Sequence, residues 1–355
     1  MWKYRDIFLL AFALGACLVP FVRTLAFRFG VLDYPKAHGI HSHPVPRLGG
    51  VVIYLAFVIG SLSRMDLSES LKGVLVGSTL VFMTGLIDDL IRLRASLRLA
   101  IQLLACGIMM FKYGIILDVF PNLFLNAFFT TLGIIGLTNA INFLDNMDGL
   151  AAGLVMISSL AITIVAYTTH QVWLGYLSMA LVGAAAGFLI FNLRKAYFFM
   201  GDSGSTFIGF TLASLAVMTQ WSYYLPVTLG VPILILGVPI LDMIMITVLR
   251  IKEDKVRSFK EWIDYAGKDH LSHRFMRLGL GKRGAVFSLW TLQAIFCVIG
   301  LAILPHRSLA GLLAILFFLM VTSGTIFFFR KKRSLILHWN GRSGRRKKKF
   351  SSVSA

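Results

Sequence analysis

Charge is scarce in this chain. Of its 355 residues only 14% are Asp, Glu, Lys or Arg, while 57% are hydrophobic and the mean hydropathy is +0.79. Ordinary soluble domains carry about 25% charged residues, so a soluble globular enzyme and a disordered chain are both excluded. Cysteine is scarcer still. Cys17, Cys106 and Cys297 lie in three separate apolar runs, which excludes a disulfide-stapled module and reads as buried structural thiols. Acidic residues number 16 against 35 basic ones, for a net charge of +19. So few charges cannot coat a water-exposed surface. The remaining class is an all-α polytopic membrane protein with its basic residues gathered at one face.

Eleven apolar runs are long enough, or nearly so, to cross a bilayer: 7–26, 49–63, 71–87, 97–111, 124–141, 149–167, 173–191, 203–220, 225–249, 284–304 and 308–329. Lipid offers no partner to bare backbone groups, and these runs are too long for barrel strands, so they read as about 11 transmembrane helices. With the N-terminus outside, 29 of the 35 Lys and Arg fall on the inner side. The positive-inside rule favours this orientation and a cytoplasmic C-terminus. Leu14-Gly15-Ala16-Cys17 has the look of a lipoprotein cleavage site, but cleavage there would reverse the charge asymmetry, so the first span is read as retained. The expected organisation is one membrane domain over 1–329 and a basic cytoplasmic tail over 330–355.

The few acids are concentrated. Asp88 and Asp89 close the third run, Asn142, Asp145 and Asp148 stand between the fifth and sixth, and Asp202 opens the eighth in Gly201-Asp202-Ser203-Gly204-Ser205. Asp242 lies inside the ninth run, ahead of Arg250. From Asp88 to Asp145 is 57 residues, and from Asp145 to Asp202 is 57 again. Each interval allows one crossing out and one back, which returns all three clusters to the same inner face. Capping could account for Asp202 and Asp145, but Asp88 and Asp89 sit at a helix C-terminus, where the macrodipole repels anions. Carboxylates at a membrane edge are costly and so point to a shared site. Hard oxygen ligands without cysteine suit Mg²⁺, with Mn²⁺ as an alternative, and Mg²⁺ uses only one or two carboxylates beside phosphates and water. The helix N-terminus at Gly201 and Ser203 favours phosphate.

The long inner loop over 250–283 carries ten basic residues and ends in Asp269-His270-Leu271-Ser272-His273-Arg274. A lone H-x-x-H could be half of a zinc site, but no third ligand follows and Arg274 would repel a cation, so an anion contact is the better reading. His41 and His43, bracketed by prolines, belong to a shaped loop that also carries Pro46-Arg47-Leu48-Gly49-Gly50.

Taken in order, that proline-arginine loop, the Asp88-Asp89 pair, Asn142 through Gly149, Gly201 to Ser205 and the histidine motif resemble the polyprenyl-phosphate N-acetylhexosamine-1-phosphate transferases, over about residues 38–280. The resemblance implies transfer of a sugar 1-phosphate, N-acetylglucosamine-1-phosphate first, from a UDP-sugar to undecaprenyl phosphate, with release of UMP. The product would be a lipid-diphosphate sugar that initiates an envelope polysaccharide at the cytoplasmic face of the inner (plasma) membrane. By the same analogy Asp202 is the leading Mg²⁺ ligand, with Asp88 and Asp145 as further metal candidates. Asp88, Asp89 and Asp202 are the catalytic candidates. Asn142, Asp145, Asp148, Gly201, Ser203, His270, His273 and Arg274 would bind the substrates.

A base role and a positioning role both stay open for Asp88, because a phosphate monoester with second pKa near 6 is already mostly dianionic at pH 7. Two departures stand out: Ser272 occupies the middle of a family H-x-H-H, and Asn146-Met147 replaces a glycine plus aliphatic residue. The phospho-N-acetylmuramoyl-pentapeptide transferase branch is the alternative within the family. A multi-span anion transporter would place its ionisable groups near the midplane, and these lie at the inner edge. The tail, with Arg345-Arg346-Lys347-Lys348-Lys349, suits anionic lipid headgroups and lacks the aromatic interleaving of a nucleic-acid binder. A homo-oligomer is compatible with all of this.

Overall fold

A computed structural model describes residues 2–34, 43–63, 69–194, 197–258, 261–262, 265, 267, 269–305 and 308–351, without side chains at 308 and 331–351. His41 and Asp264, and the side chains of the basic tail beyond Arg330, lie outside the described residues.

Every one of the eleven apolar runs is helical. The helices are α1 (Arg5–Arg28), α2 (Gly49–Leu62), α3 (Glu69–Ile91), α4 (Ala95–Tyr113), α5 (Leu123–Leu144), α6 (Leu150–Thr168), α7 (Val172–Asn192), α8 (Gly201–Met218), α9 (Leu225–Ile235), α10 (Gly237–Lys252), α11 (Leu271–Arg277), α12 (Lys282–Ile303) and α13 (Ser308–Ser351). A two-residue antiparallel pair, β1 (Leu32–Asp33) with β2 (Val45–Pro46), links α1 to α2. The chain is thus a multi-pass helical membrane protein. Among the described residues, eight helices are long and apolar enough to cross a bilayer, or nine if the bent pair α9–α10 counts as one span. α2, with 14 residues, and α8, with 18, are outside that set.

Burial sorts the helices. α6 and α7 are enclosed by their neighbours, whereas α1, α4 and α13 turn most of their apolar surface outward, as helices facing lipid do. α1 packs on α7, α7 on α6, and α3 and α5 both on α8. Four serine and threonine side chains inside these helices are satisfied locally: Ser78, Thr84, Thr138 and Ser214 each donate to the carbonyl four residues back. Cys106 and Cys297 are buried as expected, but Cys17 is exposed. It lies two residues from Gly15, which faces α7, and that spacing turns Cys17 to the opposite side of α1.

The ninth run differs most from expectation. Instead of one helix over 225–249 it is two, bent by 82°. Pro239 explains the break, because its ring excludes the carbonyl of residue i−4, which is Ile235. That freed carbonyl accepts from Ser158 Oγ of α6 at 2.8 Å and from Gln293 Nε2 of α12 at 2.6 Å. The N–H of Val238 donates to Gln293 Oε1 at 2.9 Å. Backbone freed within a bundle needs such partners, since lipid supplies none.

Candidate active site

The C-terminal end of α3, the turn from α5 to α6 and the N-terminal ends of α2 and α8 meet at one end of the bundle. Backbone pairing fixes this junction. Phe199 N–H donates to Pro46 O at 2.9 Å, and Gly49 N–H and Gly50 N–H donate to Phe199 O and Met200 O at 3.0 and 2.8 Å. A Cβ on Gly50 would come within 2.3 Å of Gly204 N, so only glycine lets α2 approach the first turn of α8. Gly201 is constrained twice over. Its φ is +77°, and a Cβ there would lie 2.5 Å from the Asp89 carboxylate.

Asp89 is a cap. Its Oδ1 accepts from the N–H of Asp202 at 2.9 Å, and its Oδ2 accepts from the N–H and Oγ of Ser203 at 3.0 and 2.7 Å. The carboxylate that ends α3 therefore serves the N-terminus of α8, where the dipole favours an anion. Capping across helices thus accounts for a residue whose own helix gives it no such role. Asp88 turns the other way, accepting from Leu93 N–H and from Arg98 Nη1, the latter at 2.7 Å.

Asp202 is more open than Asp88 or Asp89, with its side chain 26% exposed. Oδ1 accepts from Asn142 Nδ2 at 2.8 Å, and Oδ2 accepts from Arg47 Nη2 at 3.0 Å. Asn142 Nδ2 also reaches Ser205 Oγ at 2.8 Å. Arg47 bridges the cluster, lying 3.1 Å from Asp89 Oδ1 as well. Burial opposes its charge, but the carboxylates of Asp89 and Asp202 hold it above the ordinary arginine value. Arg98 Nη1 stands between Asp88 and Asp202, 3.6 Å from Asp202 Oδ1. Asp145, the C-cap of α5, is pushed well above the usual carboxylate range by burial first and by the Asp202 charge second. Asp148 lies in the same turn, which Gly149 closes with φ +80° and an N–H donated to Asn192 Oδ1 at 2.8 Å.

The histidine segment joins this end through α10 and α11. His270 stands at the N-cap position of α11, and its Nδ1 is 2.7 Å from Asp242 Oδ2. Arg250 holds Asp269 through two hydrogen bonds of 2.9 and 2.8 Å. Arg274 Nε donates to the backbone of Asp269, and His273 follows one turn after His270. Burial lowers the Arg274 pKa from the ordinary arginine value. Asp269 is lowered as well: burial works against it, but the hydrogen bonds and charge of Arg250 outweigh burial. The two departures from the family pattern touch each other, since Ser272 Oγ donates to Asn146 Oδ1 at 2.7 Å.

The structure thus brings Asp88, Asp89, Asn142, Gly201, Asp202 and Ser203 into one bonded cluster and sets His270, His273 and Arg274 on a segment tied to the same turn. Among the described residues, no group of three or more His, Cys, Asp or Glu is placed to hold a metal ion. Two residues central to the cluster lack a sequence signal of their own. Arg98 is one of several arginines in its stretch, and Arg47 shows only as part of a loop motif.

At one end of a multi-pass helical protein, carboxylates and two arginines thus surround the N-terminus of α8, whose first N–H groups, expected from the sequence to be free for phosphate, are taken by Asp89. Residues 71–220 match glycosyl transferase family 4. A probable undecaprenyl-phosphate N-acetylglucosaminyl 1-phosphate transferase of Bacillus subtilis is 33% identical over 79% of each chain. An undecaprenyl-phosphate alpha-N-acetylglucosaminyl 1-phosphate transferase of Escherichia coli O157:H7 is 28% identical over 77% of this chain and 76% of its own. A phospho-N-acetylmuramoyl-pentapeptide-transferase of Caldicellulosiruptor bescii is 29% identical over 84% and 96%. The chain belongs to glycosyl transferase family 4 and is a transferase.

Proposed function

We propose that this protein transfers N-acetylglucosamine-1-phosphate from UDP-N-acetylglucosamine to undecaprenyl phosphate, releasing UMP, at the cytoplasmic face of the inner membrane. The lipid-diphosphate sugar so formed begins an envelope polysaccharide. Counting α2, α8 and the bent pair as one crossing each gives eleven crossings. With the N-terminus outside, 29 of 35 basic residues then share the face of the carboxylate cluster.

The observation that carries this reading is the convergence of Asp88 Oδ2 and Asp202 Oδ1 on a single cationic atom, Arg98 Nη1. Two hard oxygen donors facing one cation fit Mg²⁺, with Asp202 as the principal ligand and Asp88 beside it. When bound, Mg²⁺ neutralises charge on the diphosphate. An oxygen of the lipid phosphate attacks the sugar-bearing phosphorus, the bond to the bridging oxygen breaks, and UMP departs with that oxygen. The attacking phosphate is mostly dianionic at pH 7 and needs no base, so Asp88 orients Arg98 toward it. Asp89 holds the α8 N-terminus in place, Asn142 fixes the Asp202 carboxylate, and Arg47 and Arg98 offset the charge that develops. Asp145, Asp148, His273 and Arg274 complete the nucleotide-sugar side.

Purified protein given UDP-N-acetylglucosamine, undecaprenyl phosphate and Mg²⁺ should release UMP, and omission of any one should stop it. Asp202→Asn should abolish release. A folded protein inactive across a panel of UDP-sugars, UDP-MurNAc-pentapeptide included, would overturn the proposal.

A further inference from the structure

Asp242 is absent from the cluster just described, yet it is among the most enclosed charged groups in the protein, with 1% of its surface exposed. It sits on α10 just beyond the bend, and both of its oxygens are engaged by the histidine segment. Oδ1 accepts from the N–H of Leu271 at 2.6 Å, and Oδ2 lies 2.7 Å from His270 Nδ1. A carboxylate accepts hydrogen bonds, so Nδ1 is the ring nitrogen that carries a proton. Among the described residues Nε2 of His270 makes no hydrogen bond, and it is the nitrogen left for a substrate. Two further contacts hold the ring's surroundings still: the Arg250–Asp269 pair on the preceding residue, and the Phe143 ring, 5.7 Å away, from the α5 end of the cluster.

We propose that Asp242 is a positioning residue of the transfer reaction. It fixes the tautomer and orientation of His270, so that Nε2 is the nitrogen presented to the sugar diphosphate. This rests on the transferase function proposed above. Asp242 touches no substrate itself. Its place is that of a carboxylate behind a working imidazole, where loss of the carboxylate leaves the ring present but with its proton on the wrong nitrogen.

Asp242→Asn separates this role from mere anchoring. Asparagine can still accept from Leu271 N–H through Oδ1, but its Nδ2 then faces Nδ1 of His270 as a donor. Nδ1 becomes an acceptor and the ring proton moves to Nε2. Protein labelled with ¹⁵N-histidine, with the His270 signals assigned by their loss in His270→Gln, reads this directly and without substrate. Nδ1 should be protonated in the wild type and in Asp242→Glu, and unprotonated in Asp242→Asn. In parallel, Asp242→Asn should lower kcat/KM for the UDP-sugar by about 10–100-fold, as losses behind a functional histidine do. The KM for undecaprenyl phosphate should stay unchanged, and Asp242→Glu should recover part of the loss.

An unprotonated Nδ1 in the wild type would overturn the proposal. So would an Asp242→Asn protein with its tautomer switched and wild-type kcat/KM. Equal impairment of the Asn and Glu variants with Nδ1 still protonated would overturn it too, leaving Asp242 as an anchor for α11. A wild type inactive with every UDP-sugar would refute the transferase reading and the positioning role together. Activity retained in Asp242→Asn would refute the positioning role alone.

Discussion

Replacing Asp89 with Asn should separate holding the site together from acting in it. The Asp89 side chain is fully enclosed and accepts from two backbone N–H groups and one hydroxyl at the start of α8, with Arg47 at 3.1 Å. Asn keeps the shape but brings its own amino group to one of these positions, so at least one buried N–H loses its acceptor. An orphaned buried donor costs about 1–3 kcal/mol, and loss of a good N-cap about 0.5–2 kcal/mol. Since the two terms overlap, about 2–4 kcal/mol is expected. With an unfolding entropy of roughly 2.1 cal/mol/K per residue, this corresponds to a fall of about 3–5 °C in Tm. Asp202→Asn is the contrast. Its side chain is 26% exposed, and removing its charge relieves repulsion with Asp89 and Asp145 while giving up the attraction of Arg47 and Arg98, so these opposed effects should keep the stability change within about 1 kcal/mol. Thermal unfolding by tryptophan fluorescence in detergent, run beside UMP release, gives both quantities. Asp89→Asn should lose stability and activity together, and Asp202→Asn activity alone. An unchanged Tm for Asp89→Asn, or an equal fall for both variants, would refute the capping account.

The remaining expectations are narrower. Ser272→His alone should overpack a fully buried position and cost about 1–3 kcal/mol. Asn146→Gly in the same chain should recover most of that, and a double-mutant cycle in thermal stability that showed no coupling would contradict the Ser272–Asn146 contact. Because the pKa of Asp269 is lowered in the folded protein, its contribution is complete above the unfolded carboxylate value, about 3.9. It is lost as pH falls through the lower folded value. Hydrogen exchange over 271–277 should therefore be unaffected by loss of this pair from pH 8 to 5 and rise only below about 4; loosening between pH 7 and 5 would be the wrong result. Gly201→Ala should cost at least about 1–2 kcal/mol for the left-handed backbone alone. It should also depress UMP release by displacing Asp89, and a variant with wild-type turnover would count against the geometry at α8.

The helices are legible in the sequence because a helix facing lipid must be apolar over its whole length, and that signal needs no partner. The grouping of Asp88, Asn142 and Asp202 is legible from the alternation of crossings. The role of Asp89 is not, because the helix it caps begins more than 100 residues later and no local pattern records the pairing. Arg98 is hidden for the same reason, as is the shared contact of Asn146 and Ser272, which lie 126 residues apart. Pro239 is visible in the sequence, but a proline fixes only where a helix can break. The angle depends on what receives the freed groups.

Those receivers lie on both sides of the break in the chain. Ser158 precedes it, whereas Gln293, which makes two hydrogen bonds at the bend, follows it by more than 50 residues. A chain synthesised only as far as α11 already contains Asp242 and His270 but has no side chain to receive the N–H of Val238. The geometry that sets Asp242 against His270 is completed by a residue that leaves the ribosome after both.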